Sequence, residues 1–216
     1  MNKLSEMHPN IEDNKVPFTS ILGEAEIPGP QPVRLKSRET GVIVVDMQND
    51  FVHPKGRLHV PKAGETVPVI AKLLEKARKA GCKIFYTQDW HSRDDPEFSI
   101  WGEHAVEGTW GAEIVDELKP ISGETVIRKI RYDAFYGTHL EHLLRLGRLE
   151  NLVICGTVAN ICVLHTAGSA ALRWWRVVVP VDTISALNEF DYRAALRQIT
   201  FLYRGLLTTV DMLELT

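Results

Sequence analysis

The chain has 216 residues, of which 44% are hydrophobic and 25% are charged, a composition typical of globular proteins and unlike that of disordered or collagen-like chains. Its 25 basic and 28 acidic residues give a formal net charge of -3, so no broad positive field favours nucleic acid or an anionic membrane. The length suits a single α/β domain, since domains hold roughly 150 residues.

The first segment is rich in proline. Residues 1–38 contain Pro9, Pro17, Pro28, Pro30 and Pro32 and show little apolar periodicity, which predicts an extended N-terminal arm that could wrap a neighbouring subunit. The folded domain is then expected over residues 39–216. No apolar run resembles a signal peptide or reaches the ~18 residues of a membrane span, so we expect a soluble, cytoplasmic protein without a membrane partner.

After the arm, short apolar runs alternate with segments of helical periodicity. Strands are predicted at residues 41–45, 82–87, 125–130, 152–155, 176–180 and 206–210. Helices are predicted at residues 65–80, 138–146, 161–173 and 192–203. This alternation predicts a three-layer, Rossmann-like α/β fold: an open, mainly parallel six-stranded sheet with right-handed crossovers and helices on both faces.

In such a sheet, ligands bind outside the carboxyl ends of the strands. Asp46 follows the first predicted strand, Lys129 lies at the end of the third, and Cys162 opens the helix after the fourth. A helix N-terminus lowers a thiol pKa below its usual ~8.5, a nearby carboxylate can take the thiol proton, and an ammonium can stabilise the thiolate. The three residues therefore form a candidate nucleophilic site, although a buried cysteine is commonly structural.

The two other cysteines, Cys82 and Cys155, lie in predicted strands and are interpreted as core residues. An odd number of cysteines without a C-x-x-C pair predicts no disulfide framework. The choice of nucleophile therefore falls on Cys162.

A second group of residues indicates a metal site. Asp89 and His91 alternate along an extended segment and so project to one side, and His104 returns from the following loop. Glu97 is a further oxygen donor in that loop. The alternative interpretation is that these are ordinary hydrogen-bonded loop histidines.

Five segments together resemble the isochorismatase-like cysteine hydrolases, and most closely their nicotinamidase branch, over residues 40 to 210. They are VDMQNDF at 45–51, TQDWH at 87–91, WGEHAVEGT at 101–109, KIRYDAFYGT at 129–138 and GTVANICV at 156–163. The resemblance implies the isochorismatase-like hydrolase fold and a catalytic triad of Asp46, Lys129 and Cys162. It also implies a cis peptide bond before Val158, which aims the backbone N–H groups of Val158 and Cys162 at an oxyanion.

The resemblance further implies that Asp89, His91 and His104 bind a divalent ion, with Glu97 where some members supply a carboxylate ligand. Zinc is expected, with iron and manganese as alternatives. Phe51, Trp90 and Phe135 are expected to line a flat aromatic slot for the substrate. This chain departs from the branch around the second metal histidine: proline and cysteine are frequent there, and this chain has Gly102, Glu103, His104 and Ala105.

These features predict a cysteine amidohydrolase that cleaves a small primary amide through a thioester. Nicotinamide, converted to nicotinate and ammonia in NAD salvage, is the leading substrate. One alternative is an N-carbamoyl, ureido or maleamate-type amidohydrolase of the same family that works without a metal. Another is a non-catalytic, oligomeric binding protein of the same fold. A homo-oligomer, a dimer or a tetramer, is expected in each case.

Overall fold

The computed structural model describes residues 26–216, so residues 1–25 of the predicted arm lie outside the described part. The strands are β1 (Val33–Leu35), β2 (Thr40–Val45), β3 (Lys83–Asp89), β4 (Thr125–Lys129), β5 (Asn151–Thr157), β6 (Arg176–Pro180), β7 (Ile184–Ser185), β8 (Leu206–Thr208) and β9 (Leu213–Leu215). The helices are α1 (Asn49–Val52), α2 (Ala63–Ala80), α3 (Phe98–Trp101), α4 (Leu140–Leu146), α5 (Leu164–Leu172) and α6 (Glu189–Phe201). Within residues 26–216, no helix combines the length and the apolar character that crossing a membrane requires.

The main sheet has seven strands, all paired in parallel. Its order is β4-β3-β2-β5-β6-β8, and the short β7 pairs with the end of β5. From β2 the chain builds outward to β3 and β4, and then returns to the other side of β2 to add β5, β6 and β8. The order therefore reverses between β2 and β5, the position at which open parallel sheets bind their ligands.

Alternate side chains of β2 pack on opposite faces of this sheet. Val42 and Val44 belong to an apolar cluster that includes the buried face of α2. Ile43 and Val45 belong to a second cluster with residues of α4, α5 and α6. The sheet thus lies between two helical layers, and the predicted three-layer fold is confirmed.

Two strands crowd each other at the point where the order reverses. Gly156 of β5 has φ +113°, and a Cβ on it would lie 2.0 Å from the carbonyl oxygen of Val45 in β2. Glycine is therefore required here, because any side chain would push the two strands apart. This close approach brings the turn after β5 next to the residue that follows β2.

The six predicted main strands are present, and the sheet contains one strand more than predicted. β7 has two residues, which is too short for a pattern of alternation, and it is held by pairing Ile184 with Gly156 and Ser185 with Thr157. The predicted helix at 161–173 also differs in its start. A π-helical turn, Ala159–Val163, precedes α5, so Cys162 lies in this wide turn and not in the first turn of an α-helix.

Part of the predicted arm belongs to the folded body. β1 pairs in parallel with β9 near the other end of the chain, and Val33 and Leu35 are buried. The backbone N–H of Thr216 donates to Leu35 and extends this small sheet by one bond. Residues 33–35 are therefore held by the C-terminal segment and are not a free extension.

Candidate active site

Three side chains selected from the sequence meet at the carboxyl edge of the sheet. Asp46 directly follows β2, Lys129 is the last residue of β4, and Cys162 lies in the turn after β5. Nζ of Lys129 is 2.8 Å from Oδ2 of Asp46 and 3.8 Å from Sγ of Cys162. All three residues are buried. The structure thus brings together an acid, an amine and a thiol that are far apart in the sequence.

Asp89, the last residue of β3, completes this charged cluster. Its Oδ1 forms a second buried ion pair with Nζ of Lys129. One ammonium therefore faces two carboxylates, those of Asp46 and Asp89. Without further ions the cluster is one negative charge in excess, and a bound cation would reduce the cost of burying that charge.

Burial sets the protonation of these groups. It raises the pKa of the Asp46 carboxyl to about 6, although the charge of Lys129 opposes this. It also raises the pKa of the Cys162 thiol well above its usual range, and the Lys129 ammonium opposes the rise only in part. Burial favours the neutral amine of Lys129, but Asp46 and Asp89 outweigh it and raise that pKa well above the usual range.

The resting site near neutral pH therefore holds a thiol, an ammonium and a largely ionised carboxylate. This differs from the lowered thiol pKa expected of a helix N-terminus, because Cys162 is buried in a π-helical turn and its nearest charges include two carboxylates. The thiol must lose its proton as it attacks, and Asp46 is the base beside it.

Two buried polar residues, Thr87 and Gln48, hold the acids in place. The Thr87 hydroxyl donates to Oδ1 of Asp46 at 2.6 Å and accepts the Asp46 backbone N–H at 3.2 Å. The Gln48 amide donates to the Asp89 carbonyl and accepts the Asp89 N–H, both at 2.8 Å. Neither residue was predicted from the sequence to have a role. The signal for Thr87 was its position two residues before Asp89 on one strand, which puts both side chains on the same face.

The predicted metal ligands also come together. Ligand atoms of Asp89, His91 and His104 lie within 4.8 Å of one another, and all three residues are buried. Nδ1 of His91 contacts Oδ2 of Asp95 at 3.0 Å, and Nδ1 of His104 contacts the Gly102 carbonyl at 2.8 Å. These contacts assign the ring proton to Nδ1 and leave each Nε2 as the free ligand atom, which is the usual arrangement of metal-binding histidines.

An unpaired buried atom supports a cation at this position. Nε2 of His91 has no hydrogen-bond partner among residues 26–216, although the side chain is fully buried. Buried polar atoms without a partner are costly, and a metal ion would satisfy this one. Two imidazole nitrogens and a carboxylate oxygen form a ligand set that suits zinc with an open position. The residues present therefore fit a divalent ion.

Glu97, predicted as a further carboxylate ligand, lies outside the group of three residues that could hold the ion. Its carboxylate is buried at the wall of the pocket described below, and Nη1 of Arg131 is 3.7 Å away from it. Burial raises the pKa of Glu97. Arg131 instead pairs with Asp95, which orients the His91 ring.

A pocket with an empty volume of about 420 Å³, part of it open to solvent, reaches the thiol. Its residues include Asp46, Phe51, Asp89, Glu97, Trp101, His104, Tyr132, Thr157, Val158, Ile161 and Cys162. The cluster of charges and the metal ligands therefore open into one cavity.

Phe51 lines this pocket as predicted, but Trp90 and Phe135 do not. Trp90 directly follows Asp89, and successive side chains of an extended segment point to opposite sides, so Trp90 points away from the side of Asp89. There the Arg128 guanidinium stacks 3.9 Å above the Trp90 ring. Phe135 is buried in the opposite layer against Trp175, with 5.6 Å between the ring centroids.

Trp101 and Tyr132 take their place at the pocket wall. Nε1 of Trp101 donates to the Tyr132 hydroxyl at 2.8 Å, and both residues line the pocket. Both residues lie in segments that carried the resemblance. These segments were therefore the signal from which the two aromatic residues could have been chosen as pocket residues.

The turn after β5 brings the predicted oxyanion residues to the pocket. The peptide bond between Thr157 and Val158 is cis, as the resemblance implied. Val158 and Cys162 both line the cavity. The two other cysteines lie elsewhere: Cys155 is buried in β5 and Cys82 is half-buried, and all three thiols are free.

Comparison with known proteins agrees with this fold. Residues 40–211 match the isochorismatase domain. The chain is 32% identical to ureidoacrylate amidohydrolase RutB of Caulobacter segnis, over 84% of this chain and 87% of that protein.

Solved structures give the same result. The N-carbamoylsarcosine amidase of Thermoplasma acidophilum superposes with a TM-score of 0.74 and 37% identity, over 80% of this chain and 97% of that one. The pyrazinamidase of Pyrococcus horikoshii in complex with zinc gives a TM-score of 0.75 and 29% identity, over 79% and 99%. Nicotinamidases are also among the similar structures.

The parallel sheet between two helical layers, with the strand order reversed beside a buried thiol, defines a three-layer α/β protein. Within that class, the chain belongs to the isochorismatase family.

Proposed function

We propose that this chain, an amide C–N hydrolase of the isochorismatase family, uses Cys162 to cleave a small, neutral, planar primary amide, with nicotinamide as the leading substrate. The charge of the pocket carries this proposal. Within the described residues, the pocket lining contains no arginine or lysine, and its charged members are the acids Asp46, Asp89 and Glu97. Without a bound metal ion, a substrate carboxylate would find no counter-ion among the side chains of the wall, whereas an uncharged ring meets Phe51 and Trp101.

The chemistry follows from the three buried groups. The Cys162 thiol passes its proton to Asp46 as sulfur forms a bond to the amide carbon, and the charge of Lys129 stabilises the forming thiolate. The carbonyl oxygen becomes an oxyanion, which the backbone N–H groups of Val158 and Cys162 hold. When the C–N bond breaks, the leaving nitrogen takes the proton from Asp46 and departs as ammonia. An acyl thioester remains on Cys162.

Water completes the cycle. Asp46, now a carboxylate again, removes a proton from a water molecule as the water oxygen attacks the thioester carbon. The C–S bond breaks, the carboxylic acid is released, and the sulfur takes back the proton that Asp46 holds. A carboxyl whose pKa is about 6 is suited to both directions of this transfer.

Asp89, His91 and His104 are the residues that would hold a divalent ion, for which we propose zinc. When bound, the ion would supply an open coordination position that accepts a ring nitrogen of the substrate. Asp95 would keep the His91 ring in the binding orientation. Phe51 and Trp101 would confine the ring between them.

A second candidate is a carbamoyl or ureido amide. It is favoured by the relatives, because ureidoacrylate amidohydrolase RutB and N-carbamoylsarcosine amidase are 32% and 37% identical to this chain, compared with 29% for the pyrazinamidase. The acidic pocket wall argues against it, since the substrates in both names carry a carboxylate. A cytoplasmic location and a homo-oligomer are the accompanying predictions for either substrate.

The test is ammonia release from nicotinamide, pyrazinamide, N-carbamoylsarcosine, ureidoacrylate and maleamate, each with and without a chelator. We expect release from nicotinamide or pyrazinamide that the chelator suppresses and that Cys162→Ala abolishes. Release only from the substrates that carry a carboxylate, unaffected by the chelator, would instead support the second candidate. No release from any amide would favour a non-catalytic binding protein.

A further inference from the structure

Asp46 is held by a side chain that makes two bonds to it. Thr87 lies on β3, next to β2, and is 1% exposed. Its hydroxyl donates to Oδ1 of Asp46 at 2.6 Å, and its oxygen accepts the backbone N–H of Asp46 at 3.2 Å. One hydroxyl thus fixes both the backbone and the carboxylate of the same residue.

This bond makes the two oxygens of Asp46 unequal. A threonine hydroxyl has one proton, and here Oδ1 receives it. Oδ2 lies 2.8 Å from Nζ of Lys129 and accepts no hydrogen bond of good geometry within residues 26–216. It is therefore the oxygen with a free lone pair on the side of Lys129, whose Nζ is 3.8 Å from Sγ of Cys162.

The backbone of Asp46 needs such support. Its φ of +48° lies in the left-handed region, which residues other than glycine rarely occupy. Asp46 also leaves the β2–β3 ladder after Val44, so its N–H depends on the Thr87 oxygen for a partner. Without the hydroxyl, the N–H loses that partner and the carboxylate can turn about its own bonds.

We propose that Thr87 is a positioning residue that selects Oδ2 of Asp46 as the atom that takes the Cys162 proton. This rests on the proposed role of Asp46 as the base. Thr87 is not among the residues that line the pocket, and it acts through Asp46. If its hydroxyl is lost, Oδ1 is free to turn toward the Lys129 ammonium, and the base no longer faces the thiol in a single arrangement.

The experiment compares Thr87→Val, which keeps the shape of the side chain and removes the hydroxyl, with Thr87→Ser, which keeps the hydroxyl. In Thr87→Val, we expect kcat for the amide that the enzyme turns over to fall about tenfold or more while KM stays within about twofold. Thr87→Ser should stay within about threefold of the native kcat, since the proton still reaches Oδ1. Thr183→Val is the matched control, because Thr183 is equally buried and its hydroxyl bonds to Pro180.

A second readout needs no amide substrate. Iodoacetamide alkylates Cys162 when its sulfur displaces iodide and its proton passes to Asp46, and the site is identified by peptide mass with Cys162→Ala as the blank. Thr87→Val should slow this alkylation about tenfold in the native background, and change it less than about twofold in an Asp46→Asn background. Failure of the nicotinamide proposal would leave this result unchanged.

Native kcat in Thr87→Val, equal losses in Thr87→Val and Thr87→Ser, or an equal effect of Thr87→Val with and without Asp46 would overturn the proposal. If Thr87→Val does not fold by circular dichroism, Thr87→Ala provides the same comparison, because it removes the hydroxyl without placing a methyl group against the Asp46 amide.

Discussion

The middle of the sheet and its carboxyl edge each bury a thiol, in opposite surroundings. Cys155 lies within β5 among apolar side chains, its sulfur contacts the Ile43 carbonyl at 3.5 Å, and burial alone raises its pKa. Cys162 lies just beyond the same strand, 3.8 Å from the ammonium of Lys129 and close to two carboxylates. Burial is common to both thiols, so the neighbours at the end of the strand make the difference.

The sharpest test of this contrast is to remove each thiol. Cys162→Ala should lower turnover about 1,000-fold or more, because no other group can form the thioester. Cys155→Ala should leave kcat unchanged and cost about 1 kcal/mol of unfolding free energy, as expected for a small loss of core packing. Steady-state kinetics and urea unfolding measure the two effects. Comparable losses of turnover in both variants would mean that the position of Cys162 at the carboxyl edge does not distinguish it from Cys155 in catalysis.

A substitution of Lys129 tests whether the stability of the carboxyl edge depends on the pairing of its buried charges. Lys129→Met leaves Asp46 and Asp89 buried without their cation, and should lower the free energy of unfolding by about 3–5 kcal/mol. Urea unfolding provides the measurement. The exposed pair of Arg34 and Glu214 is the control, and Arg34→Met should change stability little because solvent screens it. Equal effects of the two substitutions would contradict the contrast between buried and exposed charge.

A substitution of Asp95 tests the predicted metal site at the carboxyl edge of the sheet. Asp95→Asn weakens the bond that orients His91, and should reduce zinc affinity about 10- to 100-fold. Competition with a chromophoric chelator measures this on the purified protein. Asp116→Asn, at an exposed carboxylate that pairs with Lys119, should leave the affinity unchanged. Unaltered zinc affinity in Asp95→Asn would show that Asp95 does not support His91 as a metal ligand.

The pH profile gives the smallest of these effects. Because burial raises the pKa of Asp46 from 3.8 to about 6, the base becomes protonated as the pH falls through about 6. Below this value kcat/KM should fall about tenfold per pH unit. The measurement is kcat/KM in buffers of constant ionic strength between about pH 4.5 and about pH 8. An acid limb centred near 4 would show that Asp46 behaves as an exposed carboxyl.

The sequence predicted the layers, the main strands and the meeting of Asp46, Lys129 and Cys162, because residues at the carboxyl ends of parallel strands share one edge. The aromatic wall was less accessible. Whether Trp90 or Trp101 faces the pocket depends on the course of the loop after β3, which has no repeating pattern. The raised thiol pKa was also missed, since it depends on how deeply the turn is buried and on the carboxylates across the sheet.

The pairing of β1 with β9 escaped prediction for a different reason. Each strand has three residues, and no local signal connects them, because the cross-strand contact between Arg34 and Glu214 joins positions 180 residues apart. Only the folded body brings them side by side. The role of Thr87 was likewise not predicted, although Thr87 belongs to the segment TQDWH that carried the resemblance. Its role depends on the backbone of Asp46, which follows the neighbouring strand.

That long-range pairing has a kinetic meaning. Closing so large a loop costs entropy that only the folded chain between the two strands can offset, so we expect β1 and β9 to pair late in folding. Such short peripheral pairs also open first, ahead of the central strands. Amide hydrogen exchange at Val33 and Thr216 should therefore report the final step of folding and the first step of its reversal.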